Sequence, residues 1–236
     1  MTVEDEKSLR ERQEANRSAV DALEEGSSHT EAERKAFFKD VYRRAEGDPG
    51  MVPWADLAAK AKLHEWLVRH EGGGALTAID IACGLGDNAE ALAEAGYVTT
   101  AFDLSDHAIR WAQKRFPDSP VTYTTADLFD LPAEWRGSFD LVNECYTLQS
   151  LSPDMLDETA GAVASLVRPG GRLLVYARWR EDGAEASGPP WPLEKSRLHV
   201  FAGLGFELEE EDLFSLDRPG RKVPHSFAVW RKTKAG

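Results

Sequence analysis

From Ala75 onward the chain alternates apolar runs of strand length with stretches of helical periodicity, and this alternation limits the fold more than any other feature. The runs are ALTAIDIA (75–82), YVTTAF (97–102), PVTYTTA (120–126), FDLVNECY (139–146) and GRLLVYA (171–177), with helices expected over 87–95, 105–116 and 153–167. Strands separated by helices pair in parallel and are covered on both faces, because each crossover lays its helix against the sheet. Ser152-Pro153 offers a cap and a first helical turn for the last of these helices. The end of the chain reads differently. A helix around 193–202 precedes FELEEEDLF (206–214), a turn at Asp217-Arg218-Pro219-Gly220, and HSFAVWRK (225–232), which together spell an antiparallel hairpin. Its acid run, Glu207 to Asp212, suits an exposed edge strand, where charge discourages pairing with another chain.

The segment before Ala75 is expected to form a helical arm, residues 1–74, ahead of a unit over 75–236. Residues 1–28 are charge-rich with few apolar anchors (Leu9, Val20, Leu23), which predicts a poorly held helix or a partly ordered arm. Thr30 and Glu33 form a capping box for a helix with Phe37, Phe38, Val41 and Tyr42 on one face. A second helix is expected from about Asp56 to His70, followed by a flexible joint at Gly72-Gly73-Gly74.

The first strand runs into Asp80-Ile81-Ala82-Cys83-Gly84-Leu85-Gly86-Asp87 just where a helix starts. Glycines at Gly84 and Gly86 let the backbone turn sharply and approach a ligand, and the helix start offers free N–H groups. Asp103 closes the second strand, 19 residues after Gly84, where a carboxylate can accept both hydroxyls of a ribose. Asp127 closes the third, placed to accept from an exocyclic amine of a purine, with Leu104 and Leu128 following the two acids. Asp80 lies inside the first strand, and a buried acid there needs a cation or donors. A carboxylate, an ammonium, a ribose and an adenine on this scale together describe S-adenosylmethionine.

These residues resemble the class I, seven-stranded Rossmann-like S-adenosylmethionine-dependent methyltransferases, over roughly Ala75 to Lys232. The loop from Asp80 through Ala82, Cys83, Gly84 and Gly86 is similar to that family's first motif, with Ala82 where Gly is commoner. Asp103 resembles its ribose acid, Asp127 its adenine-side acid, and Val167-Arg168-Pro169-Gly170-Gly171 its turn into strand five. The resemblance implies a mostly parallel sheet of order 3-2-1-4-5-7-6 with the last strand antiparallel, and methyl transfer to an oxygen, nitrogen or sulfur of a small molecule. Gly84-Leu85-Gly86-Asp87-Asn88-Ala89 also satisfies a relaxed dinucleotide pattern. A nicotinamide dehydrogenase needs a second half-fold, however, and only a short tail follows strand five.

In open α/β sheets ligands bind beyond the carboxyl ends of the strands, which directs attention to Asn143 through Gln149. Asn143 is the candidate for contact with the methionine part of the donor, and Glu144 and Tyr146 are candidates to orient or deprotonate an acceptor. The plainer role for Glu144 is to cap a turn or to pair with a basic neighbour such as Arg178. Gln149, Arg178 and Trp191 are candidate acceptor contacts. Two proline-fixed aromatics, Trp54 and Trp191, can fold over the strand ends, where ring faces suit a sulfonium; Trp54 equally suits packing of the arm. No metal is required, since the methyl of a sulfonium is already activated and the pattern lacks clustered acids at the strand ends.

Composition narrows the partners. There are 28 Lys+Arg against 41 Asp+Glu, a net charge of −13, which disfavours binding to nucleic acid. No apolar run is long enough for a membrane span, and the amino terminus has no signal-like stretch, so a cytoplasmic setting is expected. Two cysteines, Cys83 and Cys145, make no disulfide scaffold. Two other functions stay open on the residues: a methyltransferase acting on protein or RNA, and a donor-binding regulatory protein without activity.

Overall fold

The computed structural model describes residues 3–16, 31–186, 190–218 and 221–234. Seven strands form one sheet: β1 (Thr77–Ile81), β2 (Val98–Asp103), β3 (Thr122–Thr125), β4 (Phe139–Cys145), β5 (Val167–Arg180), β7 (Phe206–Arg218) and β8 (Arg221–Lys232). Their order is β3-β2-β1-β4-β5-β8-β7, and a two-residue β6 (Leu193–Glu194) adds to the end of β5. Counting β6 aside, this is the expected 3-2-1-4-5-7-6 order. The first five strands pair in parallel, β8 runs antiparallel to both neighbours, and the acidic β7 is the edge strand.

The period-two pattern assigns the two faces. Ile79, Ile81, Val142, Leu173 and Val175 point to one side, packed with α6 (Leu156–Leu166). Ala78, Leu141, Leu174 and Tyr176 point to the other, against α3 (Ala61–Leu67) and α4 (Asp87–Glu94). Helix α5 (Asp106–Arg115) follows β2, and Ser105 caps it by accepting from the Ala108 N–H.

The amino-terminal segment is held better than its composition suggests. Helix α1 (Val3–Ala15) buries Leu9, and the Gln13 amide donates to the carbonyls of Val52 (2.9 Å) and Ala55 (2.7 Å). Buried polar contacts replace the apolar anchors it lacks. Helix α2 (Glu31–Ala45) packs Phe37, Val41 and Tyr42 on Val52, Leu85 and Ala108. Thr30 of the expected capping box, with Val20 and Leu23, lies outside the described residues.

Four local expectations are corrected. The helix expected from Asp56 starts only at Ala61, because Lys60 is extended (ψ 132°) with its N–H bonded to Asn88 Oδ1, and Leu57 is left-handed (φ 53°). Ser152 precedes a 3₁₀ turn (Pro153–Met155) and makes no side-chain cap bond. The turn Val167–Gly171 is absorbed into β5 as an irregularity opposite Phe139 to Leu141. Instead of a helix over 193–202, Leu193 and Glu194 pair with Trp179 and Arg180, reinforced by an Arg180–Glu194 ion pair at 3.0 Å, and two 3₁₀ turns follow. No helix among the described residues is long and apolar enough to cross a membrane.

Candidate active site

A cavity of about 210 Å³ opens at the carboxyl ends of β1 to β4, roofed by α2 and the segment 54–60. Its floor is the loop after β1. Ala82 (φ 49°), Gly84 (φ 54°) and Gly86 (φ 91°) all take the left-handed conformation, which glycine adopts freely and alanine at a cost. A Cβ on Gly84 stands 2.9 Å from the Tyr42 hydroxyl, so the arm closes on bare backbone there.

Asp103 ties this floor to β2. The Gly84 N–H donates to its Oδ2 (3.0 Å) and the Ser105 N–H to its Oδ1 (2.8 Å). Burial raises this carboxyl to about 6, opposed by those amide bonds. Each oxygen keeps a lone pair for a further donor from the cavity. At the end of β3, Asp127 accepts from the Phe129 N–H (3.0 Å) and pairs with Lys35 of α2 (2.5 Å), so a bridge crosses the cavity at this point. Trp54 and Tyr42 form the adjoining wall, with the indole N–H donating to the tyrosine hydroxyl (2.7 Å).

The opposite end is made by Lys60, Cys145, Tyr146, Thr147 and Ser150. Asp56 pairs with Lys60, whose ammonium sits 4.5 Å from the Tyr146 ring centre. Tyr146 itself is left-handed (φ 69°). Cys145 is pushed up to about 12 by burial, so it is a thiol at neutral pH.

Of the residues singled out from sequence, Trp54, Ala82, Cys83, Gly84, Asp103, Leu104, Asp127, Leu128 and Tyr146 line the cavity. The others lie outside its lining. Glu144 is fully buried and its Oε1 accepts from the N–H groups of Thr147 (2.6 Å) and Leu148 (3.0 Å). It caps the turn after β4, the plainer of the two roles expected for it, and burial raises its carboxyl to about 8. Asn143 donates to Asp80 Oδ1 (2.7 Å) across the β1–β4 pair, and both are buried. Burial lifts Asp80 to about 7, and its Oδ2 has no partner. Gly86 sits under Tyr123 rather than in the lining. Gln149, Arg178 and Trp191 meet one another instead: the Gln149 side chain accepts from the Arg178 N–H (2.5 Å), and its carbonyl from the Trp191 N–H (2.7 Å). These bonds lock the end of β5 to the segment carrying Trp191, and none of the three residues is in the cavity lining. Sequence reasoning missed Arg34, Lys35, Tyr42 and Lys60, all of which face the cavity. Only Tyr42 had a signal, its place on the apolar face of α2.

Fold and site together resemble those of the class I, Rossmann-like S-adenosylmethionine-dependent methyltransferases, and residues 78–171 match the family model described as a methyltransferase domain. The ubiquinone biosynthesis O-methyltransferase of Aromatoleum aromaticum is 35% identical over 131 residues, covering 51% of this chain and 55% of that protein. The chain thus spans about half the length of this relative. Thiocyanate methyltransferase 1 of Brassica oleracea is 26% identical over 78% of this chain and 82% of its own. In structure, the 1,6-didemethyltoxoflavin-N1-methyltransferase of Burkholderia thailandensis, solved with 1,6-didemethyltoxoflavin and S-adenosylhomocysteine bound, superposes with a TM-score of 0.67 at 20% identity, covering 89% of this chain and 93% of that one.

Proposed function

We propose that this protein transfers the methyl group of S-adenosylmethionine to an oxygen, nitrogen or sulfur of a small molecule. The observation that carries the reading is Asp103, a buried carboxylate at the end of β2, bonded to the Gly84 amide and open to the cavity. It puts a charged acceptor for ribose hydroxyls one hydrogen bond away from a side-chain-free stretch of backbone. Asp127, Leu104 and Leu128 then flank the adenine. Asp80 and Asn143 act from behind, holding β1 and β4 in register beneath the loop.

Bound at this end, the donor supplies a methyl already activated by its sulfonium. Transfer would break the carbon–sulfur bond with its electron pair going to sulfur, form the bond from carbon to the nucleophile, and release to solvent any proton the hydroxyl or amine carried. The residues contribute orientation and exclusion of water. Tyr42, Trp54 and the Lys35–Asp127 bridge roof the site, so α2 and the segment 54–60 serve as its cap. Lys60 and Tyr146 face the acceptor. The names of the relatives, a ubiquinone-pathway O-methyltransferase and a toxoflavin-precursor N-methyltransferase, point to small acceptors. The net charge of −13 points away from nucleic acid.

The test is incubation of the purified chain with methyl-tritiated donor and a cell extract split into small-molecule and macromolecular fractions. Label in the small-molecule fraction is expected. Label confined to protein or RNA moves the acceptor to that class, and a chain that neither binds donor nor moves label sinks the reading.

A further inference from the structure

Tyr146 borders the cavity, and its hydroxyl oxygen lies 2.9 Å from Nε2 of His225. His225 sits on β8, paired with Arg178 of β5 and Phe214 of β7, and is fully buried. Its ring stacks on Phe214 (5.6 Å between centres, 24° between planes) and meets the rings of Tyr176 and Tyr146 at 5.7 and 5.8 Å. Such packing leaves the imidazole one position.

The hydrogen on that ring is also placed. Nδ1 is 2.8 Å from the Val223 carbonyl oxygen, which can only accept, so Nδ1 carries a hydrogen. Burial opposes the charged imidazolium, and Arg178, Arg218 and Lys60 face the ring with positive charge; despite the Val223 bond, the group is pushed down to about 4. The neutral ring therefore has a bare Nε2. Tyr146 must be the donor in the 2.9 Å contact, and with its oxygen already accepting from the Tyr176 hydroxyl, one lone pair is left for a further donor. The phenol is held from elsewhere too. Lys60 and Arg178 stand over its ring at 4.5 and 5.4 Å, Tyr176 meets it edge-on at 5.3 Å, and its backbone is left-handed. A non-glycine residue keeps that conformation only where its surroundings fix it.

Resting on the methyl-transfer reading above, we propose that His225 is the positioning residue of the acceptor end: it fixes Tyr146 as a hydrogen-bond acceptor toward the cavity, and so selects a methyl acceptor that presents an O–H or N–H. A hydroxyl or amine that donates its hydrogen to Tyr146 has a lone pair left to aim at the methyl carbon. A nucleophile without a hydrogen, such as a thiolate, gains nothing from this arrangement. His225 takes no proton itself, since its burial, and after that the positive charge of Arg178, Arg218 and Lys60, opposes an imidazolium.

Histidine-selective ¹⁵N labelling of the full chain tests the orientation without any acceptor. In long-range ¹H–¹⁵N spectra near pH 7, the resonances missing from H225Q identify His225. They should show a protonated Nδ1 and a bare, hydrogen-bonded Nε2, and Tyr146→Phe should shift the Nε2 signal toward that of a free imine nitrogen. An Nε2–H tautomer, or an Nε2 signal indifferent to Tyr146→Phe, overturns the proposal. For function, the probe is tritiated donor with the small-molecule extract. H225L should slow labelling about tenfold or more at saturating donor, with the KM for donor unchanged. H225Q, which restores a hydrogen-bond acceptor to Tyr146, should recover most of that loss. Equal loss in H225L and H225Q, with both folded, reduces His225 to a packing residue and overturns the proposal. If the unmodified chain labels nothing, the methyl-transfer reading fails, while the tautomer result still decides how Tyr146 is held.

Discussion

The two ends of the cavity are built on different principles. The donor end draws on residues 82–84, 103 and 127, each at the carboxyl end of a strand, and β1, β2 and β3 are parallel neighbours. Their order in the chain brings their ends together. The proposed acceptor end is bordered by Lys60 and Tyr146, with Arg178 and His225 meeting Tyr146 from behind; the four come from the arm, from the turn after β4, and from β5 and β8. No spacing in the sequence joins those four; only the completed sheet does. Sites made at consecutive strand ends can thus be read from a chain, whereas sites made by side chains meeting across it cannot.

Asp103→Ala tests that division most strongly. The charged acceptor is removed and the Gly84 and Ser105 amides lose their partner, so affinity for S-adenosylhomocysteine should fall by about 100-fold or more, a few kcal/mol. Tyr146→Phe, at the other end, should leave that affinity within about twofold of the parent, because the lost hydroxyl lies outside the donor end. Calorimetry on both variants decides the matter. An unchanged Asp103→Ala, or an equal loss in both, erases the distinction between the ends.

Gly86→Ala ranks next. At φ 91° an alanine is strained, and its Cβ runs into the Tyr123 hydroxyl that donates to Glu90. The cost should be about 1–3 kcal/mol of stability, lowering Tm by several degrees in thermal unfolding. A variant as stable as the parent contradicts the tight turn on which the donor end stands.

The same contrast explains what the sequence made legible. Alternating runs announced the strands, and the order of the sheet followed from the resemblance carried by Asp80–Gly86, Asp103 and Asp127. The acid run over 207–212 marked the edge. The segment near Glu144 left two roles open because residue type and position do not say which way a strand-end side chain points: Glu144 turns back onto the amides of Thr147 and Leu148, while Tyr146 borders the cavity. Gln149 and Arg178 lie near the strand ends, but the Gln149 side chain is taken by the backbone N–H of Arg178, whose guanidinium stands over the Tyr146 ring. Lys60 and His225 carry no local pattern at all, one being an extended residue ahead of a helix and the other a strand residue among apolar neighbours.

The buried acids give a smaller effect with a definite sign. Glu144 is raised from 4.5 to about 8 and Asp80 from 3.8 to about 7, both chiefly by burial. In the window between those values the folded chain keeps protons that the unfolded chain has released, so stability falls as pH rises. Their contribution is whole below about pH 4 and is lost as pH climbs through about 7 and then 8. His225, lowered to about 4, works the other way but only below about 6.5, where the unfolded imidazole starts to charge. Between pH 6.5 and 8 the acids act alone among these groups. The Tm of the ligand-free protein should therefore decline across that interval, and Glu144→Gln should flatten the decline. A Tm that rises over the same interval excludes the assignment of these protons.

The smallest effect concerns whether the arm belongs to the donor end. Lys35 of α2 meets Asp127 at 2.5 Å, with the two side chains 32% and 22% exposed, so solvent screens much of the attraction. A bridge of this kind contributes at most about 1 kcal/mol. Lys35→Met keeps the stem packed on the cavity and removes only the charge. If the bridge fastens the arm over bound donor, S-adenosylhomocysteine should leave up to about fivefold faster from the variant at low salt, with its association rate little changed. The difference should shrink toward nothing near 1 M salt, where screening acts within about 3 Å. Stopped-flow fluorescence from Trp54, which adjoins the site, provides the signal. Equal dissociation rates at low salt show that the bridge does not fasten α2 over the donor, and leave its packing through Tyr42 and Trp54 to cover the site.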